Sequence, residues 1–160
     1  MGSLTRVSEI QIRPVRYGAP VAQRLVEAIF EDQVQRYGGR DEAHVEAIEF
    51  DPPDGGFLVA YLDGVGVGCV GWRSLDGSEE IAELKRLYSV PEVRNKGVAT
   101  LLVAAIEENA REHGRKRMVL ETGYKQPEAI ALYRKLGYEP VEHFGHYKDA
   151  DGVVSLGRSL

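Results

Sequence analysis

The chain has a single cysteine, Cys69, in 160 residues. One thiol can neither close a disulfide within the chain nor build a cysteine metal cluster. It stands in the apolar run Val67-Gly68-Cys69-Val70, where a buried, inert thiol is expected. Long hydrophobic runs are missing as well. No stretch approaches the roughly 18 apolar residues of a membrane-spanning helix, so no membrane segment is expected. Met1 to Leu4 is too short for a signal peptide and lacks its apolar core, which makes a cytoplasmic protein the default expectation. There is no excess of positive charge: 20 Lys and Arg stand against 25 Asp and Glu, a net charge of −5. That balance argues against nucleic-acid binding by bulk electrostatics. Repeats, low-complexity tracts and linkers are absent, so residues 1–160 are expected to form one domain. A composition of 43% hydrophobic and 28% charged residues excludes disorder.

The charge is unevenly spread. From Arg94 to Arg117 there are six basic residues against three acidic. A locally basic segment in an acidic chain suits a small anionic ligand better than a polymer. The patterning predicts the elements around it. Ile10 to Val15 alternates as a strand, and Val21, Leu25, Ala28 and Ile29 recur as a helix over about Ala19 to Tyr37. Gly38-Gly39 stops that helix, and Asp41 is expected to cap a second, short one through Ile48. Phe57–Leu62 and Val65–Trp72 form a hairpin at Asp63-Gly64. A strand follows over about Glu80 to Val90. Val98, Leu101, Leu102, Ala105, Ile106 and Ala110 then mark an amphipathic helix from Gly97 to His113. Met118 to Leu120 is a short strand, and Pro127 opens a helix that Gly137 ends. Val141 and Val153–Gly157 supply the last two strands. This order reads as an α/β (α+β) layer fold with a mixed sheet.

The most informative stretch is Pro91-Glu92-Val93-Arg94-Asn95-Lys96-Gly97-Val98-Ala99, between a strand and a helix. The first turn of a helix has unpaired N–H groups and the positive end of the macrodipole. Gly97 and Ala99 let a phosphate approach the backbone, while Arg94 and Lys96 add charge. The bland alternative is a plain turn with solvated cations. No Gly-Lys-Ser/Thr follows, so this is not a P-loop. Gly66-Val67-Gly68-Cys69-Val70-Gly71 matches G-x-G-x-x-G in letters. It lies inside a strand, however, where its glycines permit close backbone approach rather than dinucleotide binding.

These residues resemble the GNAT superfamily of acyl-CoA-dependent N-acyltransferases. Arg94 to Ala99 matches the Q/R-x-x-G-x-G/A pyrophosphate motif. Glu83 to Glu92 is similar to the family's fourth strand and the turn after it. Ala129-Ile130-Ala131-Leu132-Tyr133-Arg134-Lys135-Leu136-Gly137-Tyr138 follows A-x-x-L-Y-x-K-L-G-F/Y. The strong match covers about the central third of the chain. It implies a mostly antiparallel GNAT sheet flanked by helices, and transfer of an acetyl group from acetyl-CoA to a primary amine. It also implies that the backbone of Leu87, Tyr88, Ser89 and Val90 pairs with the pantetheine arm. Arg94, Asn95, Lys96, Gly97, Val98 and Ala99 would hold the diphosphate. Gln126 stands where the family often has Asn, and would offer its amide with a longer reach.

Amine acetylation from a thioester has three demands. The amine must lose a proton, the carbonyl oxygen needs fixed donors in the tetrahedral intermediate, and the leaving thiolate is best protonated. Glu83 is the expected base, through a water, and its rival role is a strand carboxylate paired with Lys85 or Arg86. Tyr133 is the expected acid; its rival role is a core tyrosine. A backbone N–H near Tyr88 to Val90 is the expected oxyanion donor, where the strand would splay from its neighbour. His143 and His146 stand three apart with no second ligand pair, so no metal is expected. Gln33, Tyr37, Asp32, His146 and Tyr147 are candidates for the acceptor side. Asp41, Glu42, Glu46 and Glu49 are either an attractor for a cationic amine or a solvated helix face. The acceptor is expected to be a small-molecule or peptide amine, and the resemblance allows a homodimer. The rival functional reading is a non-catalytic acyl-CoA sensor, which would need neither Glu83 nor Tyr133.

Overall fold

A computed structural model describes residues 9–160. Met1 to Leu4, the segment weighed as a leader, lies outside the described residues. A seven-stranded sheet has the order β1-β2-β3-β4-β5-β7-β6. The strands are β1 (Gln11–Pro14), β2 (Gly55–Leu62), β3 (Val65–Ser74), β4 (Ile81–Ser89), β5 (Arg117–Gly123), β6 (Glu139–Pro140) and β7 (Val153–Ser159). All neighbours are antiparallel except β4 and β5. The helices are α1 (Pro20–Tyr37), α2 (Val98–Glu112) and α3 (Pro127–Lys135).

Side chains alternate across the sheet. Leu58, Ala60, Val70 and Trp72 therefore join one buried cluster, with Leu102 and Ile106 of α2. Phe57, Val59 and Cys69 join the other, with Leu25 and Val26 of α1. Of the stripe read for α2, Val98, Leu102, Ile106 and Ala110 are essentially inaccessible and Leu101 and Ala105 partly buried, while Val103, outside the stripe, is buried with them. Each large aliphatic there gains about 1.5–3 kcal/mol from leaving water. The hairpin forms as expected, with Asp63 (φ 51°) and Gly64 (φ 79°) both left-handed at its tip.

Two expectations fail locally. Residues 41–46 are not helical. A 3-10 turn, Ala47–Phe50, forms instead, capped by Glu46 rather than Asp41, with Glu46 and Glu49 making a reciprocal capping box. The penultimate strand is Glu139–Pro140 and ends before Val141, which still donates its N–H to Ser155 O.

The feature that positions the site is a parting of strands. β4 and β5 pair only from Ile81–Glu83 to Arg117–Val119. Beyond Glu83, β4 stays with β3 while β5 stays with β7 as far as Gly123. A bulge between Cys69 and Gly71 coincides with Arg86 at φ 64° and bends β4 away. Gly68 lets that bend happen, since a Cβ there would lie 2.7 Å from Tyr88 O.

Candidate active site

Two cavities meet where β4 and β5 separate. One, about 750 Å³, lies between the end of β4, the start of α2 and the inner face of α3. The other, about 780 Å³, lies between residues 39–43, the β5–α3 turn and residues 144–153. Both volumes suit small-molecule sites. Gln33, Asp41, Lys85, Glu121, Thr122 and Gln126 line both, and so form the shared wall.

The first cavity collects most of the residues singled out for the diphosphate and pantetheine. Leu87, Tyr88 and Ser89 form one side, and Arg94, Asn95, Gly97, Val98 and Ala99 form its end. Val90 and Lys96 are not on its wall. Gly97 precedes α2 at φ 83°, a left-handed conformation that a β-carbon would strain. That geometry ends the loop on the unpaired N–H groups of α2's first turn. Arg94 donates from Nε to Ser89 O at 3.0 Å and lies over the Tyr88 ring. Val90 N–H donates to Val67 O at 2.9 Å, so it is spent on β3. This removes Val90 from the expected oxyanion donors. Strand alternation then turns the N–H groups of Leu87 and Ser89 to the open side.

Tyr133 lies on this cavity's wall and is buried. Burial pushes its phenol above the ordinary tyrosine range. Its ring meets Tyr138 edge-on, yet no described protein group hydrogen-bonds its hydroxyl. Tyr138, by contrast, donates to Glu107 Oε2 at 2.7 Å in the core. Gln126 Oε1 accepts from the Thr122 hydroxyl at 2.8 Å.

Glu83 lies on the wall of the second cavity, buried on β4. Its partner is not Arg86 but Arg73, which donates from Nε to Oε1 at 3.0 Å; Lys85 Nζ is 3.9 Å from Oε2. Arg86 instead donates to Asp41 Oδ2 at 2.8 Å. Asp41 is a tie between segments. Its Oδ1 accepts from the Tyr147 hydroxyl and from Ala43 N–H, both at 2.9 Å, and Gln33 Oε1 accepts its N–H at 2.8 Å. Burial opposes the charge of Asp41. The Lys85 ammonium, Arg86 and the Ala43 N–H prevail and hold its carboxyl well below the usual carboxylate range.

Of the residues singled out for the acceptor side, Gln33, Tyr37, His146 and Tyr147 border the second cavity. Asp32 does not: it lines the first cavity and pairs with Arg36 at 2.9 Å. His143 contacts Ser155 Oγ at 2.6 Å, while His146 packs edge-on against Tyr147. Sequence reading passed over Glu121. Its Oε2 accepts from Ser155 Oγ at 2.9 Å and Phe144 N–H at 3.1 Å. The strand alternation after Met118 is the signal that would have found it. Cys69 is fully buried, donates to Arg86 O, and is pushed above its ordinary range by desolvation.

Parted strands with a glycine-opened helix between them are matched by the sequence model of the Acetyltransferase (GNAT) family over residues 23–138. The chain belongs to that family. It is therefore an acyltransferase, and the GNAT reaction class is transfer from an acyl-CoA. An uncharacterized N-acetyltransferase of Escherichia coli (strain K12), YjgM, is 41% identical over 113 residues, covering 69% of this chain and 68% of its own. Among solved structures, a Klebsiella pneumoniae protein provisionally assigned as an acyl-CoA N-acyltransferase superposes with a TM-score of 0.79 at 26% identity, covering 94% of this chain and 97% of that one. A GNAT family acetyltransferase from Elizabethkingia anophelis, solved with acetyl-CoA bound, shares the fold at a TM-score of 0.67 and 20% identity, covering 95% and 99%. Among the described residues no helix is long and apolar enough to cross a membrane.

Proposed function

We propose that the protein transfers the acetyl group of acetyl-CoA to a primary amine by direct attack. The observation that carries this reading is the junction of the two cavities at the β4–β5 gap. The first would take the cosubstrate. The diphosphate would sit on the N–H groups opening α2, near Arg94, and the pantetheine arm would follow the free edge of β4. The GNAT structure from Elizabethkingia anophelis with acetyl-CoA bound supports that choice of cosubstrate by analogy of fold.

In the reaction the amine nitrogen attacks the thioester carbonyl carbon. The N–C bond forms, a tetrahedral intermediate collapses, and the C–S bond breaks. The N–H of Ser89 or Leu87 would hold the oxyanion. Tyr133 would donate its proton to the departing sulfur, since its buried phenol stays protonated and has no competing protein acceptor among the described residues. The ammonium gives up two protons, one through water to Glu83 before attack and one from the tetrahedral intermediate to water. One proton per acetylated ammonium finally reaches solvent, and Tyr133 regains its own from water. A second base is favoured by one observation: Glu121 lines both cavities, while Glu83 lines only the acceptor side and is clamped by Arg73.

The test is amine-dependent release of CoA thiol, paired with mass detection of the acetylated product, across a broad amine panel. Turnover is expected. Tight acetyl-CoA binding without turnover of any amine would favour the sensor. In Glu83→Gln and Glu121→Gln variants, the true base is the one whose loss lowers kcat by about 100-fold.

A further inference from the structure

Lys85 holds a charge that its neighbouring carboxylates meet only at long distance. Its side chain is 11% exposed and lines both cavities at their junction. Its ammonium has three N–H groups, and good bonds to carboxylates run about 2.7–2.9 Å. The nearest carboxylate oxygens are Asp41 Oδ2 at 3.5 Å and Glu83 Oε2 at 3.9 Å. Each carboxylate has a closer cation, Arg86 at 2.8 Å and Arg73 at 3.0 Å. A largely buried cation without close acceptors is costly unless a ligand supplies them.

The surroundings define that ligand. Glu49, Arg73, Glu83, Lys85, Asp41 and Arg86 form one chain of ion pairs, of which all but Arg86 line the second cavity and Arg86 lines the first. On the inner wall of the second cavity the carboxylates of Asp41, Glu49, Glu83 and Glu121 stand against Arg73 and Lys85, so the wall favours an ammonium and Lys85 is its one cation with no carboxylate closer than 3.5 Å. The wall presents alternating signs a few ångströms apart, and an acceptor carrying both signs at that spacing matches it. Glu42, Asp76 and Asp151 on the rim would favour a polyamine, but they are exposed and so weakened by salt. Arg40 and Lys125 on the same rim offset them further.

We propose that the acceptor is an amino acid, or a small amine bearing a carboxylate close to its nitrogen, and that Lys85 binds this carboxylate. The amine would then lie toward Glu83 and Glu121. This rests on the acetyltransferase reading and names its substrate class.

The experiment compares the protein amino acids, each paired with the amine left by decarboxylation, and adds spermidine. The kcat/KM of the best amino acid is expected to exceed that of its decarboxylated partner by about tenfold or more, the worth of a charged hydrogen bond. Lys85→Met is expected to collapse this ratio to near unity, and Lys85→Arg to retain part of it. Calorimetric titration with acetyl-CoA checks the fold and the cosubstrate cleft of each variant. A carboxylate-free amine or spermidine as best acceptor overturns the inference, as does a ratio unmoved by Lys85→Met. If acetyl-CoA binds but no amino acid is acetylated, the inference falls and acyl transfer to another amine stands. If acetyl-CoA does not bind to the wild-type chain, both readings fall.

Discussion

At the scale of single residues, Tyr133 and Asp41 illustrate two kinds of legibility. Tyr133 was found by motif, and its cleft position and unpartnered hydroxyl suit the acid role. Tyr133→Phe is expected to lower kcat by about 100-fold while moving the KM for acetyl-CoA by only about twofold, read from steady-state kinetics. An unchanged kcat with chemistry limiting would remove the phenol from the reaction. Asp41 was misread as a cap because an Asp before apolar residues is a helix-start signal. Its main partner, Arg86, stands 45 residues away, and no local pattern records that distance. Asp41→Asn leaves Arg86 without its close counter-charge and Lys85 with Glu83 alone, at about 3 kcal/mol or more. The depressed native carboxyl binds fewer protons than an unfolded one, whose ordinary value is about 3.9. Its contribution is therefore complete above that value and declines as pH falls below it. Denaturant melts from pH 7 to pH 3 are expected to show the gap between wild type and Asp41→Asn narrowing below about pH 4; a gap constant across that range would contradict the ion pair.

At the scale of elements, the decisive sites are backbone geometries. The α2 helix was legible from its stripe, and Gly97 from the motif. Yet Gly97 does more than leave space, because its φ of 83° turns the chain into α2. Gly97→Val is expected to weaken acetyl-CoA binding by about tenfold or more while adding about 1–2 kcal/mol of backbone strain, measured by calorimetry and melting. Gly68 tells a similar story for β4. The G-x-G-x-x-G letters lie within β3, as read, and one of those glycines lets Tyr88 O approach. In Gly68→Ala the clash is with backbone, so strand β4 must shift. A loss of about 1–3 kcal/mol is expected in denaturant melts, with acetyl-CoA affinity falling alongside it. The parting of β4 and β5 was anticipated as a splay near Tyr88 to Val90, and it begins earlier, after Glu83. Its register depends on β7 and on the bulge at Arg86, which are tertiary choices.

At the scale of the whole molecule, two apolar layers clasp the sheet, and their members were mostly visible as period-two and period-3.6 patterns. Leu102, fully buried beneath α2, ties that helix to the sheet. Leu102→Ala is expected to cost about 2–5 kcal/mol in reversible denaturation. The second cavity was the least legible part. It is assembled from residues 39–43, 121–126 and 144–153, with Arg73 and Glu83 from the sheet. Three loop segments and two strands meet there, and of their charges Asp41, Glu42 and Glu49 had a solvated helix face as one of two readings from sequence. The ion-pair chain exists only once the sheet has brought β3 and β4 beside the loops.

The central claim is that the gap between β4 and β5 receives acetyl-CoA, with its diphosphate on the opening turn of α2. Calorimetric titration of acetyl-CoA into the wild-type chain tests it most directly. Binding at one molecule per chain is expected, with a dissociation constant between about 1 µM and 1 mM, and marked loss in Gly97→Val. No heat from the folded wild-type protein, or equal binding by the valine variant, would contradict it.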